Sequence, residues 1–159
     1  MVEEVLDLKV RFINNDDADK AALLFMYSEV MRKKKTISRF MNRLRKGSGY
    51  STLCLEFGGE IVGMLMYKHS VPNITIVLLH VDHPFRRNGG GTSMVKFLVD
   101  AYERSRIKTS VSVLVPELNV QAQKFFRSLN FKGVEIKKDK FGPGNDGYGF
   151  VYNTEVSDE

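Results

Sequence analysis

The sequence predicts an α/β (α+β) chain with a mixed, mostly antiparallel central sheet and helices on both faces. Three observations predict it. Apolar runs rich in β-branched residues alternate with amphipathic stretches only in the middle of the chain. Two apolar runs, Tyr50–Phe57 and Ile61–His69, are joined by Gly58-Gly59 and read as an antiparallel hairpin. Between Val81 and Thr109 a glycine loop and a helix connect two strands, which gives one parallel crossover, expected to be right-handed.

Each element has its own local reason. Leu8–Ile13 alternates and reads as the first strand. Asn15-Asp16-Asp17 can cap a helix through Ala21, Leu24, Phe25, Ser28 and Met31. Ile37, Phe40, Met41 and Leu44 recur at helical spacing, with Arg39, Arg43 and Lys46 on another face. Gly47-Ser48-Gly49 stops that second helix, and the hairpin follows. Val71-Pro72-Asn73 turns the chain into the strand Ile74–Val81. After the glycine loop, Met94, Phe97, Leu98, Ala101 and Tyr102 mark an amphipathic helix. Thr109–Val115 is a strand, and Asn119–Leu129 a helix with Ala122, Phe125, Phe126 and Leu129 inward. Lys132–Ile136 and Tyr148–Tyr152 are two final strands, separated by a loop containing Gly142-Pro143-Gly144-Asn145. The order is β-α-α-β-β-β-α-β-α-β-β.

At 159 residues the expectation is a single domain, 1–159, able to bury its apolar surface without staples. Cys54 is the only cysteine, so no intrachain disulfide can form, and its apolar neighbours predict a buried, inert thiol. No apolar stretch reaches membrane-spanning length, and the acidic start Met1-Val2-Glu3-Glu4 is unlike a signal peptide. No membrane association and a cytoplasmic location are therefore expected. The net charge is +5, but residues 32–46 hold eight Lys/Arg and no Asp/Glu. Such a segment can steer an anion or receive an acidic substrate or nucleic acid; the plainer alternative is a solvated helix face.

The run Arg86-Arg87-Asn88-Gly89-Gly90-Gly91-Thr92 lies between a strand and a helix. Glycines let backbone approach a ligand, open amides point at it, and the helix dipole favours negative charge, so a pyrophosphate-bearing cofactor is expected there. The run is a poor P-loop, because Gly91-Thr92 lacks the lysine. It is a poor dinucleotide fingerprint, because Met94 occupies the third glycine position and no acidic residue closes the next strand. Arg86-x-x-Gly89-x-Gly91 resembles instead the Gln/Arg-x-x-Gly-x-Gly/Ala signature of the GNAT superfamily of N-acetyltransferases. Asn119-x-x-Ala122-x-x-x-Phe126, ending in Leu129-Asn130-Phe131, resembles that family's Asn-x-x-Ala-x-x-x-Tyr with a closing Gly-Phe. The two motifs stand in order, in matching slots.

The resemblance implies an acetyl-CoA-dependent N-acetyltransferase acting on an amine-bearing acceptor, with no metal. It implies that backbone amides from Arg87 through Asn88, Gly89, Gly90 and Gly91 to Thr92 hold the pyrophosphate, with Arg86 opening the motif. Leu79 and Val81 would pair with the pantetheine arm, and the Val81 N–H would polarise the thioester carbonyl. Asn119 would touch the pantetheine or the substrate; as a plain alternative it caps its helix. Dimers are common in the family, so a homodimer is one state open to the chain.

The sequence departs from the family at the chemistry. The tyrosine that commonly protonates the leaving thiolate is Phe126 here, and the usual basic position on the fourth strand is Thr75. His80, Glu117 and Tyr152 are the remaining candidates for catalytic groups, with Glu56 and Tyr148 behind them. Alternation puts His80 with Ile76 and Leu78 on one face and Thr75, Val77, Leu79 and Val81 on the other. The alternative function is a catalytically weak CoA-binding or nucleic-acid-associated protein; the basic run has no interleaved aromatics for base stacking, which counts against nucleic acid. A basic wall near the acceptor would suit one carrying carboxylate or phosphate.

Overall fold

A computed structural model of the chain describes residues 6–17, 20–21, 34–70, 72–104 and 109–153. Its strands are β1 (Lys9–Phe12), β2 (Tyr50–Phe57), β3 (Glu60–Ser70), β4 (Asn73–Val81), β5 (Ser110–Pro116), β6 (Lys132–Lys137) and β7 (Gly147–Asn153). Its helices are α1 (Lys34–Leu44), α2 (Gly90–Arg104) and α3 (Val120–Ser128). The strands form one sheet in the order β1-β2-β3-β4-β5-β7-β6. β4 and β5 pair in parallel, while β1–β2, β2–β3, β5–β7 and β6–β7 are antiparallel. The sheet is thus mixed and mostly antiparallel, as expected. The helix expected through Leu24, Phe25, Ser28 and Met31 lies outside the described residues.

Chain contacts divide the protein into two compact units. The first comprises Met1–Lys68 and Leu78–Leu98. Its hairpin closes at Phe57↔Glu60 around Gly58 and Gly59, whose φ angles are +57° and +81°. Two successive left-handed residues make the tight turn whose twist suits antiparallel strands, and glycine takes that conformation without a Cβ clash. Both faces of β2 are covered, because its residues alternate in direction. Cys54 packs with Met64, Met66 and Phe40 of α1 in one core cluster. Leu55 faces the other way, against Gly63 of β3 and Gly90 of α2. Helices therefore lie on both faces of this part of the sheet. Cys54 is wholly buried, and burial pushes its thiol up to about 11, so it stays protonated and inert.

The second unit comprises His69–Val77 and Val99–Glu159. The parallel ladder runs from Asn73↔Ser110 to Ile76↔Val113. β5 alternates cleanly, with Val111, Val113 and Val115 buried. Phe126 of α3 packs edge-on against Phe125 and Phe131, with centroids 5.0 and 5.2 Å away. β6 ends the sheet order and is exposed along its whole length.

Candidate active site

In the first unit, the end of β4 leads into the glycine loop through a short 3-10 turn, His83–Phe85. Asp82 caps the turn, its carboxylate accepting the His83 N–H at 3.1 Å. The Asp82 N–H donates to the Val62 carbonyl at 2.7 Å, so even-numbered residues at this end of β4 direct their amides at β3. Alternation turns the peptide groups of Leu79 and Val81 the other way. The Val81 carbonyl is already engaged: Arg86 donates to it from Nε at 2.8 Å. That bond ties the loop to the strand end and gives Arg86 a structural duty the motif does not reveal.

The loop then folds on itself. Arg87 has φ +65°, and Asn88 donates from Nδ2 to the Phe85 and Arg86 carbonyls at 3.3 and 3.0 Å. Gly89, at φ +78°, presents its carbonyl to both the N–H and the hydroxyl of Ser93, each at 2.9 Å. Gly89 is therefore the N-cap, and α2 begins at Gly90. The glycine motif and the apolar periodicity place the helix start after the glycines, at Ser93; the difference arises because the cap is a backbone carbonyl and leaves no side-chain signature. Ser93 is the first amide with an intrahelical acceptor, so those of Gly90, Gly91 and Thr92 have none within the helix. Gly90 is buried, and a Cβ there would collide with the Leu55 side chain. Its glycine is thus demanded by helix–strand packing as well as by any ligand.

In the second unit, Asn119 caps α3, its Oδ1 accepting the Ala122 N–H at 3.1 Å. Just before it, Glu117 is half-buried and its Oε2 accepts the Tyr148 hydroxyl at 3.1 Å. That hydrogen bond raises the Tyr148 pKa, so the phenol keeps its proton at neutral pH. Gln123 donates from Nε2 to the Glu117 carbonyl at 2.7 Å and holds the segment in place, a role nothing in the sequence signals. Glu117 and Tyr148 meet because Pro116 pairs with Gly147 and Val115 with Tyr148.

The other candidates are occupied. Tyr152 donates its hydroxyl to Glu103 at 2.8 Å. The Thr75 hydroxyl lies 3.2 Å from that of Ser112, and Glu56 is paired with Arg11 at 2.6 Å. His80 shares the pleat face of Leu78, which packs on the core cluster of the first unit. Phe126 is 4% exposed and belongs to the second unit's core. Among the described residues no three His, Cys, Asp or Glu gather closely enough to hold a metal ion, and no helix is long and apolar enough to cross a membrane.

A family model, described as the acetyltransferase (GNAT) family, matches residues 17–131. The chain belongs to this family. An N-alpha-acetyltransferase from Sulfolobus acidocaldarius is 28% identical over 120 residues, which is 65% of this chain and 68% of that protein. The ribosomal-protein-S18-alanine N-acetyltransferase from Escherichia coli superposes with a TM-score of 0.81 at 17% identity, over 96% of this chain and 97% of its own. Arabidopsis thaliana NAA60, solved with a bisubstrate analogue, gives a TM-score of 0.77 at 18% identity over 94% and 99% of the two chains, and has also been solved with acetyl-CoA. At such identities the structural likeness is one of fold. As a GNAT acetyltransferase the protein is an acyltransferase that moves the acetyl group of acetyl-CoA to an amine. In this acetyltransferase the tyrosine slot of the second motif is filled by a buried phenylalanine, and the titratable pair near that motif is Glu117–Tyr148.

Proposed function

We propose that this acetyltransferase holds acetyl-CoA at the mouth of α2 and transfers its acetyl group to the α-amine at the start of a peptide. The observation that carries the reading is the set of amides at Gly90, Gly91 and Thr92 with no acceptor inside the helix, which suits a diphosphate. Arg87, Asn88 and Gly89 complete the cradle, while Arg86 anchors it to β4. Leu79 and Val81 direct their peptide groups away from β3 and suit pairing with the pantetheine arm, the Val81 N–H serving the thioester carbonyl. Asn119 and Phe126 carry the family's second motif; Asn119 caps α3 and Phe126 packs within the core of its own unit.

The acceptor class is supported by the archaeal relative's name and by acid–base arithmetic. A peptide α-amine has a pKa of about 7.7–8.0 and is about one-third neutral near pH 7.5; a lysine amine, near 10.4, is neutral about one time in a thousand. An enzyme with Phe126 and Thr75 at the usual acid and base positions suits the amine that needs less deprotonation. Glu117 accepts from the neutral Tyr148 hydroxyl, whereas Glu56 is held by Arg11, so Glu117 is the candidate base to test by substitution.

A panel of peptides with free or blocked N-termini, each with one internal lysine, tests the reading. Acetylation should appear on the free α-amine, with kcat/KM at least about 100-fold above that for the lysine. Transfer to lysine alone would refute it. Glu117→Gln should lower kcat about 10- to 100-fold, and Tyr148→Phe should lower it less. An unchanged kcat in Glu117→Gln would remove Glu117 as the base.

A further inference from the structure

A cavity of about 470 Å³ opens in the first unit, at the end of β2 remote from the glycine loop. Phe57, at one end of β2, packs on Phe85 just before the loop; Tyr50, at the other end, lines the cavity. Seven residue steps along the strand separate them, about 23 Å. The floor is the partly buried rim of the core: Ile13, Met41, Leu44 and Tyr50. The charged wall is Arg43, Arg45 and Lys46, and among the described residues no Asp or Glu lines the cavity. Among the described residues neither Arg45 nor Lys46 has an ion-pair partner, and Asp17 is held by Arg11 at 2.7 Å.

The wall is a built feature. Gly47 and Gly49 take φ +82° and +84°, which lets the chain reverse tightly after α1. Ser48 fixes the turn, donating its hydroxyl to the Arg43 carbonyl at 2.8 Å and its N–H to Arg45 at 3.2 Å. The Tyr50 N–H returns to the Ser48 hydroxyl at 3.3 Å. The Arg43 guanidinium lies 4.6 Å above the Tyr50 ring centroid, forming a flat cationic platform. The end of α1 contributes about half a negative charge here, against three positive side chains, so the described lining is net cationic.

We propose that this cavity binds a 5′-mononucleotide, its phosphate against Arg45 and Lys46 and its base stacked on the Arg43–Tyr50 platform. The volume falls in the range of small-molecule sites. A guanidinium offers a flat face for a base, and a pair of free cations suits one phosphate. A single platform fits a single nucleotide, whereas a nucleic-acid strand calls for a row of aromatics along a basic groove.

The test uses the full chain with acetyl-CoA held at saturation, titrated with AMP, GMP, CMP and UMP by calorimetry. Adenosine, inorganic phosphate and a 20-nucleotide RNA serve as comparators. At least one mononucleotide should bind with a Kd below about 1 mM, and at least about tenfold more tightly than adenosine or inorganic phosphate. Arg45→Glu with Lys46→Glu should weaken that binding at least about tenfold, and the paired Gln substitutions should weaken it less. In both variants the rise in Tm with acetyl-CoA and the acetylation rate should stay unchanged, which also shows that they fold. Four results would each overturn the proposal: no mononucleotide binds, inorganic phosphate binds as well as the nucleotide, the charge reversals leave affinity intact, or acetyl-CoA competes for the site. Tighter binding of the RNA than of any mononucleotide would overturn it too, in favour of a polyanion surface.

Discussion

Gly91→Glu should abolish the rise in Tm that acetyl-CoA gives the unaltered protein, and should lower kcat/KM at least about 100-fold, or about 2.7 kcal/mol. The argument rests on where the residue sits. Gly91 is the second residue of α2, and its N–H is one of three at the helix mouth without an intrahelical partner. A carboxylate there places a negative charge and added bulk where a diphosphate would lie. Charge repulsion and lost amide contacts then act together on binding. The same carboxylate interacts favourably with the helix dipole, so the ligand-free variant should melt within a few degrees of the parent. A variant that melts normally yet ignores acetyl-CoA identifies the mouth of α2 as the cofactor site. A variant that still responds to acetyl-CoA as the parent does would move the site elsewhere.

Arg11→Leu should cost about 2–3 kcal/mol, or roughly 5–10 °C in Tm for a chain of this size. Arg11 donates to Asp17 at 2.7 and 3.0 Å and to Glu56 at 2.6 Å. Asp17 is only 6% exposed, and after the substitution its remaining assigned partner is the Asn14 N–H at 2.8 Å. Hydrogen bonds from Arg11 hold the Asp17 carboxyl below its ordinary pKa. A depressed carboxyl pKa stabilises the fold above the unfolded-state value, near 3.9, and that contribution fades as pH falls through the lower folded-state value. The Tm gap between parent and variant should therefore be widest at neutral pH and should narrow below about pH 4. Thermal melts from pH 3 to pH 7 measure it. A gap independent of pH would assign the loss to side-chain packing alone.

Much of the architecture was legible because its signals are local. Gly58-Gly59 between two apolar runs encodes a hairpin whatever surrounds it. The β-branched run Thr109–Val115 encodes a strand, which the structure has at Ser110–Pro116 with Val111, Val113 and Val115 buried. Asn119 three residues before Ala122 encodes a cap, and the structure has that bond. The two motifs that mark the family are likewise short stretches whose spacing is visible in one dimension. Boundaries were less legible where the determining group is backbone: α2 starts at Gly90 because the Gly89 carbonyl receives Ser93.

The candidate catalytic groups divided differently. Glu117 and Tyr148 stood in the sequence as two separate candidates, 31 residues apart. Only the β5–β7 register makes them a hydrogen-bonded pair. Glu56, another candidate in the sequence, is held by Arg11 across the β1–β2 ladder. Tyr152 met Glu103 by the same kind of long-range placement.

By itself, then, the sequence determined the order of the described elements, the hairpin, the Asn119 cap and the place of the glycine loop, since each depends on residues within a few positions of one another. Tertiary structure alone decided which polar side chains find partners, why a Cβ at position 90 would displace the Leu55 side chain, and where Arg43, Arg45 and Lys46 converge on a cavity. Those outcomes depend on strand register and on which face of a helix meets a sheet, distances that no linear spacing encodes.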